Sequence, residues 1–182
     1  MKKTLIIAEA GVNHNGDIKL AKQLIDVAVA AKVDVVKFQT AIPELVVSVK
    51  AEKAEYQKHE TGAGSQLEMI KKIHFPLEVY KELQQYCNDS GIHFLSTPFD
   101  HVSIDFLQSL GMKIFKIPSG EITNKPYLRL VGKAAEEVIL STGMSTIQEI
   151  GEAIEVLYSV GVKKDKCSSQ LYNELNAVWK EL

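Results

Sequence analysis

Residues 114–121 read IFKIPSGE, a short apolar run that delivers Lys116, Ser119 and Glu121 into a Pro/Gly break. Such a run predicts a buried strand, about five residues long, whose end presents a cation, a hydroxyl and a carboxylate. In a parallel α/β sheet the carboxyl ends of the strands are where ligands bind. Outward from this stretch the chain repeats the same unit. Residues 4–9 are apolar and end at Glu9, VDVVKFQT closes with Lys37, Gln39 and Thr40, IHFLSTPFD terminates at Thr97 and Pro98, and EVILSTGM makes a fifth run. Because side chains alternate along a strand, Lys37 and Gln39 point to the same side.

Helical spacing separates these runs. After the loop GVNHNG, Asp17 is placed to cap a helix whose apolar positions are Ala21, Leu24, Ile25, Ala28 and Ala31. Pro76 opens a helix in the first-turn position that proline tolerates; Tyr80, Leu83 and Cys87 form its stripe and Gly91 ends it. Asp100 can cap the next helix, with Val102, Phe106, Leu107 and Leu110 inward and Gly111 as the stop. A weaker helix runs from Pro126 to Ala134. Ser145 and Gln148 then predict a capping box for a helix with Ile147, Ile150, Ile154 and Leu157 inward, ended by Gly161. Residues 41–75 are the least regular, with helical stretches near 51–58 and 66–73 around a TGAGS break, and read as an elaborated loop over the sheet.

Composition narrows the function classes. The chain has 182 residues, 46% hydrophobic and 24% charged, which suits an ordinary globular domain. A formal charge of −2 without any basic tract argues against a nucleic-acid or membrane-surface partner. The N-terminal MKKTLIIAEAG is too short in its apolar part for a secretion signal, and no stretch reaches the roughly 18 to 20 apolar residues of a membrane span. Cys87 and Cys167 make neither a metal spacing nor a disulfide framework, so a reducing, cytoplasmic setting is expected.

Five strands each followed by a helix require parallel strands with right-handed crossovers, which gathers the polar strand ends on one rim. Neither G-x-G-x-x-G nor a P-loop is present, and polar ends on every strand favour a (β/α)8 barrel over an open doubly wound sheet. The expectation is an α/β fold: a partial (β/α)8 TIM barrel of about five parallel βα units over residues 1–162, plus a C-terminal amphipathic helix in a divergent tail, 163–182.

The motifs LIIAEAGVNHNG, VVKFQT, FLSTPFD, FKIPSGEITN and VILSTGM, in this order, resemble the N-terminal barrel domain of the sialic acid synthase family. The resemblance implies a transferase of nonulosonate biosynthesis that condenses phosphoenolpyruvate with an N-acetylated hexosamine such as N-acetylmannosamine, releasing phosphate. It also implies a divalent metal, manganese or magnesium. By resemblance, Lys37, Thr97, Lys116 and Ser119 bind phosphoenolpyruvate, whose phosphate and carboxylate call for cations and hydroxyls brought together. Glu9 matches a catalytic glutamate that orients or activates the water attacking C2. Glu121 matches the glutamate that holds the amino sugar, with Gln39 and Asn13, and also Ser141, at rim positions that could hydrogen bond. A lone loop histidine such as His14 reads as solvated.

The sequence also departs from the family. Beyond Val162 the family continues with three strands, a linker and an antifreeze-like domain, and its metal ligands are histidines ending strands six and seven; here KKDKCSSQLYNELNAVWKEL follows, with no match to either histidine. The expectation is therefore a truncated chain with no metal ligands, little synthase turnover, and an exposed sheet edge. In the tail Leu171, Leu175, Val178 and Leu182 recur at helical intervals, which fits packing over that edge or self-association. A non-catalytic binding or assembly protein derived from the family is the alternative function, and a Schiff-base aldolase using Lys116 a third.

Overall fold

The computed structural model describes residues 4–48, 51 and 64–163. In order, the elements are β1 (Ile7–Gly11), α1 (Ile18–Ala30), β2 (Val35–Thr40), α2 (Pro43–Val46), α3 (Gln66–Ile73), α4 (Leu77–Asp89), β3 (His93–Pro98), α5 (His101–Ser109), β4 (Ile114–Ile117), a 3-10 turn (Ser119–Glu121), α6 (Lys125–Ala134), β5 (Glu137–Leu140) and α7 (Ile147–Ser159). All strand pairs are parallel, in a sheet of order β1-β2-β3 and a second sheet β4-β5. The chain divides into two compact units, residues 1–103 and 104–182, with one sheet in each. The helix expected in the tail beyond Lys163 lies outside the described residues, as does the one expected near 51–58 apart from residue 51. No described helix is long and apolar enough to cross a membrane.

In residues 1–103, α1 starts where the Asp17 carboxylate accepts a hydrogen bond from the Lys19 backbone N–H at 2.7 Å, satisfying an otherwise orphaned helix-start donor. Ala21, Ile25 and Ala28 are its buried face. Tyr80, Leu83 and Cys87 of α4 are buried as their spacing predicts, and burial pushes the Cys87 thiol up to about 12, so it behaves as an inert apolar side chain. Phe38 and Val36 complete this core. At the start of α5, Asp100 accepts from the Ser103 backbone N–H and hydroxyl and from the Ile42 backbone N–H, so one buried carboxylate caps a helix and ties down the chain leaving β2.

In residues 104–163, Phe115, Ile117, Val138 and Leu140 alternate into a core with Leu128 and Val131 of α6 and Ile150, Ile154 and Leu157 of α7. Each such aliphatic side chain contributes roughly 1.5–3 kcal/mol on burial. The approach of α6 to the end of α7 depends on Gly132, where a Cβ would stand 2.5 Å from Val160 Cγ2.

Several local expectations shift. Strand β1 begins at Ile7, leaving Leu5 and Ile6 about half exposed, so Glu9 is mid-strand and Gly11 ends it. Pro76 is the residue before α4 rather than its first position. The capping box of α7 is Thr146 with Glu149, one residue later than Ser145 and Gln148, and Ile147 is consequently exposed while Ala153 is buried. The buried residues of α5 include Ser103, Ile104 and Leu107; Val102 is exposed because the Asp100 cap fixes the helix phase.

Candidate functional site

Strand β2 is the centre of the first sheet. Its register pairs Lys37 with Glu9 of β1 and Gln39 with Thr97 of β3. In-register parallel neighbours share a face, and alternate residues along a strand do too, so Glu9, Lys37, Gln39 and Thr97 lie on one side of the sheet. The Lys37 ammonium is ion-paired with the Glu9 carboxylate; the lysine side chain is 10% exposed and the glutamate 52%. A nearly buried ammonium is costly unless paired, so the contact is what the fold requires of this position. Thr97 is fully buried, and its hydroxyl has no hydrogen-bond partner among the described residues. Leaving a buried hydroxyl unpaired costs on the order of 1–3 kcal/mol, which marks Thr97 as a group with an unmet partner.

The surroundings fix this face in place. The Tyr80 hydroxyl donates to the Gln39 carbonyl at 2.8 Å, locking the strand just where the Gln39 side chain emerges; burial raises the phenol well above its ordinary value and keeps it a donor. On the other side of the sheet the Thr40 and Ser96 hydroxyls share a buried hydrogen bond of 2.7 Å. Asn13 is exposed in the turn after β1, where its backbone N–H donates to the Ala10 carbonyl.

His14 is not solvated. It is fully buried, its ring stacked on Phe75 with centroids 4.2 Å apart, and its Nδ1 accepts from the Gly16 backbone N–H. That acceptor role places the ring proton on Nε2, which has no partner among the described residues. Desolvation, with a smaller effect of His74, lowers its pKa to about 4, so the ring is neutral near pH 7. Gly16 sits under the same cluster at φ +76, where a Cβ would stand 2.2 Å from the Lys72 carbonyl oxygen. The β1–α1 loop is thereby seated on the end of α3.

In residues 104–163 the stretch IFKIPSGE is a strand running into a turn, as its pattern predicts. Lys116 is half-buried and alternates with the buried Phe115 and Ile117. Ser119 opens the 3-10 turn and Glu121 closes it, its backbone N–H donating to the Pro118 carbonyl. The Glu121 carboxylate accepts from Asn124 Nδ2 at 2.6 Å, while Asn124 Oδ1 caps α6 through the Tyr127 N–H. The Ser141 N–H donates to the Ile117 carbonyl, and the loop after β5 comes so near the turn that a Cβ at Gly143 would lie 3.4 Å from Ser119 Oγ. The structure thus brings together Glu9, Lys37, Gln39 and Thr97 in the first unit, and Lys116, Ser119 and Glu121 in the second.

A family model described as the NeuB family matches residues 24–172. The chain belongs to the NeuB family. It is 50% identical, over 97% of its length and 55% of the relative's, to the N,N'-diacetyllegionaminic acid synthase of Campylobacter jejuni. It is equally 50% identical to the enzyme of that name from Legionella pneumophila, over 84% of this chain and 43% of that one. Among solved structures it is similar to an N-acetylneuraminic acid synthetase from Leptospira borgpetersenii in complex with citrate, with a TM-score of 0.72 and 28% identity over 87% of this chain and 52% of that one. The chain thus spans about half the length of the curated relatives it matches. The fold is accordingly α/β, with the parallel βα units of a partial (β/α)8 barrel of NeuB type.

Among the described residues no group of three or more His, Cys, Asp or Glu side chains gathers to hold a metal ion.

Two features of the site escape the sequence pattern. Gly11 lies beside the Glu9 carboxylate, where a Cβ would stand 3.1 Å from Glu9 Oε1 and 3.6 Å from Gln39 Nε2. The signal available for it was only its position at the head of the GVNHNG loop. The second is the direct pairing of Glu9 with Lys37, which register alone decides.

Proposed function

We propose that this chain binds phosphoenolpyruvate as part of a nonulosonate synthase, for condensation with the open-chain aldehyde of an N-acetylated hexosamine. The observation that carries the reading is the pairing, on one sheet face, of a nearly buried ammonium at Lys37 with an unsatisfied buried hydroxyl at Thr97. A dense anion answers both, since it can take over Lys37 from Glu9 and brings the acceptors that Thr97 lacks. Lys116 and Ser119 are assigned to the same anion by resemblance, and Glu121, Gln39 and Asn13 to the amino sugar.

In the reaction, C3 of phosphoenolpyruvate bonds to the aldehyde carbon, water adds at C2, and phosphate leaves. The lysines and hydroxyls hold the phosphate and carboxylate, and Glu9 orients the water. The resemblance also implies a divalent metal for this reaction. The two relatives at 50% identity are named for an N,N'-diacetylated product. Removing the three carbons of phosphoenolpyruvate from a nine-carbon acid leaves a six-carbon diacetamido sugar, which should be assayed beside N-acetylmannosamine.

The test is calorimetric titration of the chain with phosphoenolpyruvate, alongside Lys37→Met and Lys116→Ala. Each variant is expected to lose at least tenfold in affinity; undiminished heats in both would remove the anion assignment. Phosphate release with each sugar and manganese then reports turnover.

A further inference from the structure

We propose that Glu9 serves as the internal counter-ion of Lys37, occupying the place of the substrate's anionic group until that group displaces it. The inference rests on the phosphoenolpyruvate reading of this face and deepens it. Three observations support it. The Glu9 carboxylate is paired to the Lys37 ammonium, and the strand register that makes them neighbours leaves the lysine 10% and the glutamate 52% exposed. The two ends of the pair therefore differ: the cation is fixed in a dry strand interior, while the anion can return to water at little cost.

Second, the carboxylate rests in a seat made by an absent side chain. A Cβ at Gly11 would stand 3.1 Å from Glu9 Oε1, so that the carboxylate would have to give by a few tenths of an ångström, and Gly11 itself has φ +54, a conformation suited to glycine. Gln39 Nε2 borders the same spot. The Lys37 ammonium and the bare backbone at Gly11 leave room for a carboxylate, and Glu9 fills that place from within the chain. Third, the Thr97 hydroxyl, on the same face and in register with Gln39, has no partner while Glu9 holds this posture. Glu9 thus satisfies the charge of the site without satisfying its hydroxyl, and a larger anion would satisfy both.

The exchange has a catalytic corollary. An arriving carboxylate or phosphate takes over Lys37, and the released Glu9 carboxylate, now free of its cation, is a stronger hydrogen-bond acceptor for the water that adds at C2. Binding and activation of the water are then coupled through one ion pair, and apparent affinity is reduced by the energy of opening it.

The experiment compares the whole chain with Glu9→Gln, Lys37→Met and the double variant, folding being checked by circular dichroism, in titrations with phosphoenolpyruvate and with pyruvate. Glu9→Gln keeps the shape and removes the competing charge. It is expected to bind phosphoenolpyruvate about fivefold tighter than the unmodified chain, the gain expected for opening a partly exposed ion pair, and the double variant to lose that gain. Equal or weaker binding by Glu9→Gln, with the unmodified chain binding normally, overturns the counter-ion role and leaves the phosphoenolpyruvate reading standing. A gain for pyruvate that depends on Lys37, with no binding of phosphoenolpyruvate by any form, supports the counter-ion role and removes that reading. Absence of binding of either anion by every form overturns both.

Discussion

In residues 1–103 Lys37 lies on β2, which has a parallel neighbour on each side, and its side chain is almost dry beneath Glu9; in residues 104–163 Lys116 lies on β4, which pairs with β5, and is half-buried. The same kind of strand-borne lysine thus meets two environments. A strand on either flank excludes water from the aliphatic stem and leaves the ammonium dependent on a counter-charge, which the register supplies as Glu9. The polar groups next to Lys116 are organised by a turn instead: Glu121 is held by Asn124, and Ser119 lies close to Gly143. Sheet register positions the first set of groups, and local turn chemistry the second.

Breaking the first arrangement is expected to cost the most. Gly16→Ala puts a Cβ against the Lys72 carbonyl at a left-handed backbone, and should destabilise the chain by about 4 kcal/mol, the sum of backbone strain and overpacking. Hydrogen exchange should rise in the amides of β1 and α1; unchanged protection there would show that the loop is not seated on α3.

Acid should act on the same region. His14 titrates at about 4 in the fold and at 6.5 as an unperturbed group, so the unfolded chain takes up the proton first. Stability then falls as pH drops from about 6.5 to 4, by about 3 kcal/mol in total, and changes no further from this source below that. Burial lowers the His74 pKa also, which adds in the same direction. Denaturant midpoints at pH 7 and 4.5 should show a smaller acid loss in His14→Gln than in the unmodified chain.

The second arrangement is probed by Gly132→Ala, which forces a methyl group onto Val160 between α6 and α7 and should cost about 2 kcal/mol. Urea denaturation measures it, and the exchange of β1–β3 amides should be less affected than those of α6 and α7. Smallest in stability is Thr97→Val. Removing an unpaired buried hydroxyl should leave the chain unchanged or stabler by up to about 1 kcal/mol, while phosphoenolpyruvate affinity drops about tenfold. Loss of stability without loss of affinity would make Thr97 a packing residue.

Much of this was legible in the chain. Asp17 and Asp100 announce helix starts because a cap needs only a short polar side chain a few residues from the orphaned N–H groups it serves. Gly91, Gly111 and Gly161 mark helix stops, and all three have positive φ. The cap of α7 was misread by one residue. Neighbouring residues such as Ser145 and Thr146 offer nearly equal caps, and packing selects between frames one residue apart. His14 was misread because what buries it, Phe75, lies in the irregular connection whose path no periodicity describes.

By itself, then, the sequence determined the order of five βα units and which polar residues stand at or near the strand ends, since those follow from alternation, helical spacing and capping over a few residues. Only the tertiary structure decided that Glu9 meets Lys37, that Thr97 shares their face with its hydroxyl unmet, and that His14 is buried and neutral. Those facts depend on strand register and on water exclusion by segments distant in the chain, which no local pattern encodes.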